Sequence, residues 1–484
     1  MLKDLPFVDR EEEMAFLNRT LQKSHPTPAR LTLIYGRRRI GKTSLLQRWA
    51  MGSGLPYTYW SAEKEPAPLQ RRKLLAKVWR TDVRSAPLTE SWSELWERIQ
   101  DRLNDERHLL ILDELPYAAE SDPAMLSSLQ HAWDHLYQRS NLVILLCGSH
   151  VRTMETLMSH QSPLFGRMTG QWHLGPLPFS ALKPLFPAWS AEERVAAYGI
   201  AGGIPAYLSW LNPALSMVEN VREEILDPGG LFMAEPMVLL YDEVREPAPH
   251  LAVLKAIGRG YHTLDEISND ALIGKNNLSV YLARLQELRL VERRLPVTVA
   301  PNAQRISRRG RYHLSDAFFR FYFRFIAPEH DRLNLASARE TIAAHIRDQL
   351  RGFLSLSAFE PLAQQWVAHQ GQAGRLPFHP EYVGAHWSRK VQVDVVGIHW
   401  GKKRILLGEC KWGLDEINHQ VVRELIEEKT PKVLAELPDG GQNWGVTHAI
   451  FARRGFTPAA RKTMRKQGGL LVDLKQLDMD MSTE

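Results

Sequence analysis

The stretch that most constrains this chain is GRRRIGKT, residues 36–43, set between the apolar run LTLIY and the run SLLQRWA. A strand that feeds such a loop and leaves it through a helix turns successive backbone amides toward one point. Gly36 and Gly41 let the backbone curl so that amide hydrogens meet phosphate oxygens. Lys42 brings positive charge to the β and γ phosphates, and the Thr43 hydroxyl can bind magnesium. Ser44, next in the same first helical turn, belongs with these phosphate-binding residues. A second apolar run, HLLILDE at 108–114, ends in paired acids. Asp113 is expected to support magnesium through its water shell and Glu114 to orient an attacking water. A third run, NLVILLCGS, ends at Ser149, a polar group placed to sense the γ-phosphate. Apolar strands alternating with helical runs such as SWSELWERIQDRLND predict an α/β fold with a parallel sheet. Nucleotide then binds at the carboxyl ends of the strands.

A chain of 484 residues suggests about three domains. With 44% hydrophobic and 24% charged residues, its composition is ordinary for a globular protein. No apolar run is long enough to span a bilayer and no cationic, apolar signal region opens the chain, so a cytoplasmic protein without a membrane partner is expected. Cys147 and Cys410 both lie in apolar runs and read as buried thiols of a reducing compartment. A net charge of +6 is compatible with a nucleic-acid partner.

Near the C-terminus, VQVDVVGIHWGKKRILLGECKW (391–412) reads as two strands around a Gly401-Lys402 turn. Trp400 then faces Lys403, and Asp394 falls opposite Glu409. Like charges so placed repel. Glu409 and Lys411 share a face, because side chains alternate along a strand, and Val393, Val395, Gly408 and Cys410 take the other. The face is either a solvated hairpin surface or a site where a divalent cation relieves the repulsion, oxygen ligands suiting magnesium.

FVDREEE, GRRRIGKT, LILDELPYA, LLCGSHVRTMETLMSHQSPLFGRMTG and GGIPAYL occur in that order. With them the chain resembles, over almost its whole length, the archaeal-type ATPases of the AAA-related, signal-transduction-type NTPases. The resemblance implies ATP as cofactor and makes Arg167 a candidate arginine finger or sensor; the alternative for Arg167 is a structural salt bridge. It also places Gly203 and Pro205 in a helical lid, and Asp9 and Arg10 near the adenine. After EPAPH at 246–250, three helical runs and a hairpin resemble a winged helix-turn-helix, which that family carries here. Residues 289–311 hold seven arginines against one acid, Glu292, so the wing either contacts phosphates or docks on a neighbouring domain.

The remaining order of helix, strand, hairpin, helix, strand, helix, strand resembles the restriction-endonuclease-like PD-(D/E)XK nucleases. By that resemblance Asp394 and Glu409 are the metal-binding acids, Lys411 the catalytic lysine, and Glu360 in SAFEPLA the acid of the first helix. The literal Pro-Asp is absent, Val393 preceding Asp394. The expected organisation is an ATPase core at 1–175, a helical lid at 176–245, a winged helix-turn-helix at 246–330 and a nuclease-like α/β domain at 331–484. The function so implied is ATP hydrolysis coupled to magnesium-dependent cleavage of nucleic acid, DNA above RNA, with manganese able to serve at the nuclease site and a homo-oligomer as one candidate assembly. The rival is a nucleotide-switched DNA-binding or signalling scaffold with an inactive nuclease fold.

Overall fold

The structure is a computed structural model that describes residues 6–22, 29–103, 106–244 and 246–482. The chain divides into two compact units, Phe7–Pro176 with Ile204–Ala206, and Leu177–Gly203 with Tyr207–Glu484.

The first unit holds five strands, β1 (Arg30–Tyr35), β2 (Tyr57–Ser61), β3 (His108–Asp113), β4 (Leu142–Gly148) and β5 (Gly170–His173). All pair in parallel in the order β2-β3-β4-β1-β5. Every residue of β1, β3 and β4 is buried, as befits near-continuous apolar runs in a sheet covered on both faces. Helix Trp92–Leu103 supports one of those faces, its Trp92 and Trp96 rings stacked 5.7 Å apart within the same core as Leu110 and Ile144. Because β4 lies between β1 and β3, the loop after β1 and the acids after β3 flank one sheet end.

In the second unit, helices Pro247–Gly258, Leu264–Ala271 and Lys275–Glu287 precede β6 (Val291–Arg294) and β7 (Arg311–Leu314), an antiparallel pair. Thr263 and Glu266 form a reciprocal cap at the start of the middle helix. Leu278, Leu282 and Leu285 are buried, whereas Arg284 donates to the Glu243 carbonyl at 2.9 Å. The aromatic run after β7 is a packing seam, with Phe318, Phe319, Phe321, Phe323 and Phe325 all buried.

A second five-stranded sheet follows, comprising β8 (Tyr382–Trp387), β9 (Gln392–His399), β10 (Arg404–Lys411), β11 (Gly445–Ala452) and β12 (Leu470–Asp473). Its order is β12-β11-β10-β9-β8; β8, β9 and β10 pair antiparallel, while β10, β11 and β12 pair in parallel. The hairpin register is the expected one, with Arg404 facing His399 and Gly408 facing Val395. Its connection spans the four residues Trp400–Lys403 rather than two, and Lys403 closes it at φ 49°.

Strict alternation fails at one point of β9. Gly384 faces Val396 but His386 faces Val393, so β9 carries one extra residue there, a bulge. Val391 and Val393 consequently join the apolar cluster of Val396, Ile398, Ile405 and Leu407, and Val393 does not share the face of Val395 as expected.

The segment between β6 and β7 lies along β8. Val297 N–H donates to Ala385 O at 3.1 Å, and the Thr298 hydroxyl meets His386 Nδ1 at 2.6 Å. Trp387 Nε1 donates to Arg309 O at 3.0 Å. Arg309 pairs with Glu436 at 3.1 Å, and Arg311 stacks over the Trp387 ring at 5.1 Å. Of the two alternatives for the wing, Arg309 and Arg311 thus take the docking one.

Candidate functional sites

At the end of β1, Gly36 has no room for a side chain, since a Cβ there would lie 2.4 Å from the Leu174 carbonyl oxygen. Gly41 adopts φ 92°, a left-handed turn that opens helix Lys42–Gly52. Lys42 is 6% exposed and arches back over its own loop, Nζ donating to Gly36 O at 2.8 Å and Arg37 O at 3.1 Å. Thr43 and Ser44 are exposed in the first helical turn. The Thr43 hydroxyl donates to Asp113 Oδ2 at 3.1 Å across the gap between the two sheet-end loops. Glu114 holds φ 50°, and its Oε2 accepts both the Ser149 N–H at 3.1 Å and the Ser149 hydroxyl at 2.8 Å. Thr43, Asp113, Glu114 and Ser149, from three separate stretches, are therefore linked by hydrogen bonds, and Lys42 adjoins Thr43 in the chain.

Arg10 is buried, and its guanidinium donates to Ile40 O at 3.3 Å and Gly175 O at 2.9 Å while pairing with Glu13 at 2.9 Å. It braces the phosphate loop. Asp9, beside it, is in the left-handed region at φ 56°. Pro205 lies against the same loop, its Cγ 3.7 Å from where a Gly41 Cβ would stand. A residue the sequence did not single out, Tyr59 on β2, donates its hydroxyl to Asp113 Oδ2. Burial, then the Asp113 charge, drive the phenol well above its ordinary range. The strand YTYWS carries no local sign of this; only the placement of β2 beside β3 reveals it.

Arg167, a candidate arginine finger or sensor with a structural salt bridge as the alternative, makes that salt bridge. Its Nε and a terminal nitrogen bind the two oxygens of Asp134 at 2.8 and 2.7 Å, and it also donates to Pro163 O and Phe165 O. A guanidinium with its fork filled in this way ties its own turn to the helix that carries Asp134.

The acids of the C-terminal sheet meet where β9 and β10 part. The ladder stops at Gly408 and Val395, one pair short of Asp394 and Glu409. Asp394 Oδ2 instead accepts the Cys410 N–H at 3.1 Å, and Gln364 of helix Glu360–Gln372 holds the Asp394 carbonyl at 2.7 Å. Glu409 is 2% exposed. Lys411 Nζ sits 3.1 Å from its Oε2 and Lys429 Nζ 2.8 Å from its Oε1. Burial, then the Asp394 charge, raise the Glu409 carboxyl. Glu360, on the neighbouring helix, is pushed up to about 8 by burial and then by Asp394 and Glu409. Lys411 is held above its ordinary value by Glu409 and Asp394 against the opposing effect of burial.

Three carboxyl groups thus feel one another. Among the described residues, however, no three His, Cys, Asp or Glu side chains converge closely enough to cage a metal ion. The expected three-acid shell is not formed, because Asp394 is turned onto a backbone amide and both Glu409 oxygens face ammonium groups. An all-oxygen set of one or two carboxylates still fits magnesium, which keeps several of its waters. Lys429 was not foreseen; it falls within LDEINHQVVRELIEEK, which reads only as a helix.

Among the described residues no helix is long and apolar enough to cross a membrane. Residues 7–211 match the family described as an ATPase domain predominantly from Archaea. Residues 322–424 match a family described as archaeal and bacterial proteins of unknown function. The uncharacterized protein MJECL04 of Methanocaldococcus jannaschii is 32% identical over 409 residues, 84% of this chain and 87% of that protein. The Walker-type ATPase PABY2304 of Pyrococcus abyssi aligns with 67% of this chain and 100% of its own, at 21% identity and a TM-score of 0.47. The ORC2 protein of Aeropyrum pernix, solved with ADPNP and ADP, aligns with 71% of this chain and 96% of its own, at 16% identity and a TM-score of 0.45. With the phosphate loop and its acids inside the first match, and a relative sharing most of its length, the chain belongs to the archaeal-type ATPase family.

Proposed function

We propose that this ATPase works in series with a magnesium-dependent nuclease site in its C-terminal sheet, acting on DNA, with the nucleotide state governing assembly or access. In the nucleotide site Lys42 neutralises phosphate charge, Thr43 and Asp113 hold the magnesium of ATP, and Glu114, oriented by Ser149, aligns the attacking water. Asp9, Arg10 and Pro205 shape the nucleotide pocket from the side.

The observation that carries the nuclease reading is the buried Glu409, set beside Asp394 and Lys411 at the point where two strands separate. A buried carboxylate is costly, and Asp394 and Glu360 add to that cost while two ammonium groups offset it, the kind of strained charge cluster that marks functional sites. Asp394 and Glu409 would hold magnesium or manganese, with Glu360 at the edge of the set. Bound there, the ion would polarise a phosphodiester and acidify its own water. Lys411 would position or activate the attacking water and offset negative charge that develops on the scissile phosphate. The three-helix module and its hairpin supply a winged-helix support that clasps β8, leaving Arg305 and Arg308 exposed.

The second reading, a nucleotide-switched binding protein with a silent nuclease fold, is favoured by one observation: both Glu409 oxygens are occupied by lysines. Purified protein incubated with linear, circular and single-stranded DNA and with RNA, with and without magnesium, separates the two. Metal-dependent cleavage that vanishes in Glu409→Gln while ATP hydrolysis persists supports the nuclease. Cleavage that survives in that variant removes the activity from this face.

A further inference from the structure

Helical residues 419–434 do not wind evenly. Over Glu424–Lys429 the helix widens into a π-turn, Thr430 N–H reaching back to Leu425 O. The turn is pinned from within, for the buried Thr430 hydroxyl donates to Leu425 O at 2.7 Å and meets His448 Nε2 at 3.1 Å. A π-turn inserts one residue and shifts the helix face beyond it, and such turns concentrate at functional sites. Here the shift brings Lys429 to Glu409. Its ammonium sits 2.8 Å from Oε1, on the oxygen that Lys411 leaves open, while its side chain remains 20% exposed. A contact with Glu424 at 3.9 Å is too long to hold it elsewhere.

Oε1 of Glu409 is also an oxygen through which a divalent cation would be held. An ammonium 2.8 Å from that oxygen competes with a divalent cation approaching it, since the two positive charges repel. We propose that Lys429 is a displaceable counter-ion of the C-terminal site: it holds Glu409 until a divalent cation takes Oε1, and then turns its freed ammonium to a phosphate oxygen of the bound nucleic acid. The inference rests on the nuclease reading and adds to it a residue outside the Asp394, Glu409, Lys411 set. Lys429 sets how much cation the site requires and supplies a second positive contact to the polyanion.

The test measures manganese binding to the full-length protein by calorimetry and by loss of the free-ion electron paramagnetic signal, alongside cleavage. Lys429→Met keeps the stem and removes the charge; Lys429→Gln keeps a neutral donor and guards against misfolding. Both should bind manganese about tenfold more tightly than wild type, about 1.4 kcal/mol, because the competitor is gone. Cleavage at saturating metal should nevertheless fall at least tenfold. Arg423→Ala, which breaks only the exposed pair to Glu427 on the same helix, should change neither quantity. Unchanged or weaker manganese binding in both Lys429 variants, with wild type binding the ion, overturns this inference alone. Wild type that neither binds manganese nor cleaves overturns the nuclease reading, and the inference with it.

Discussion

Arg167 and Asp134 allow a strut to be told from a finger by thermodynamics. Replacing Arg167 with alanine removes two charge-assisted hydrogen bonds to Asp134, at 2.8 and 2.7 Å, and two to the carbonyls of Pro163 and Phe165. The paired side chains are 26% and 29% exposed, so solvent screens the attraction. A bidentate pair in that setting contributes about 1 kcal/mol. The carbonyl contacts add about 1 kcal/mol more, bringing the loss in Arg167→Ala to about 2 kcal/mol and in Asp134→Ala to about 1 kcal/mol. A double-mutant cycle by chemical denaturation should return a coupling of about 1 kcal/mol. The coupling has a predictable pH dependence. The hydrogen bond from Arg167 holds the Asp134 carboxyl below its ordinary range. Its contribution is therefore full above the unfolded value of about 4, and disappears as pH falls through the depressed folded one. ATP hydrolysis should decline modestly and alike in both single variants. A finger predicts instead a fall of about a thousandfold or more from Arg167 alone. That outcome, in a folded Arg167→Ala protein with Asp134→Ala unaffected, would refute the strut.

Three further outcomes are expected. Lys42→Ala should abolish ATP hydrolysis with an unchanged circular dichroism spectrum, whereas Glu114→Gln should bind ATP and turn it over slowly; a wild-type rate in the latter removes Glu114 from the water-orienting role. His386, buried and held down to about 4 mainly by desolvation, stays neutral in the fold while the unfolded chain takes up a proton below about 6.5. Its contribution is thus full above about pH 6.5 and is lost as pH falls toward 4, so the melting temperature should drop between pH 7 and 5, and less steeply in His386→Gln; equal slopes would exclude His386 as a source. In Gly203→Ala the new Cβ would lie 1.8 Å from the Leu177 carbonyl oxygen, a clash with backbone that should cost about 3 kcal/mol or more; a wild-type melting temperature would show that the two segments separate freely.

The sequence was most legible where the constraint is local. Gly36, Gly41, Lys42 and Thr43 are dictated by one turn of backbone, and the acids after β3 stand at the end of a run no solvent-facing strand could carry. The hairpin register followed from its centre, although the connection itself is longer than it reads. What escaped depended on elements distant in the chain. Tyr59 finds Asp113 only because β2 lies beside β3. The slip at Asp394–Val395 requires β8 as a partner, and without it alternation puts Val393 on the wrong face. Lys429 reaches Glu409 through a π-turn, and a helical pattern cannot announce its own irregularity. The arginines of residues 289–311 advertised a polyanion, yet Arg309 and Arg311 spend their charge on a tryptophan and a glutamate of the same chain.

The clasp between residues 297–311 and β8 also bears on how such proteins can be cut and inherited. An outermost strand presents a row of unpaired amides and carbonyls that invites strands of other chains. In this molecule Val297 occupies part of that row, and Gly384 leaves the space into which Val297 fits, a Cβ there falling 2.7 Å from it. A fragment beginning after residue 330 would carry β8 without its cover and should self-associate when expressed, whereas one beginning near residue 246 should remain dispersed. Gene fusions that transplant the C-terminal sheet should for the same reason carry the upstream hairpin with it, so that the two travel between lineages as one heritable piece.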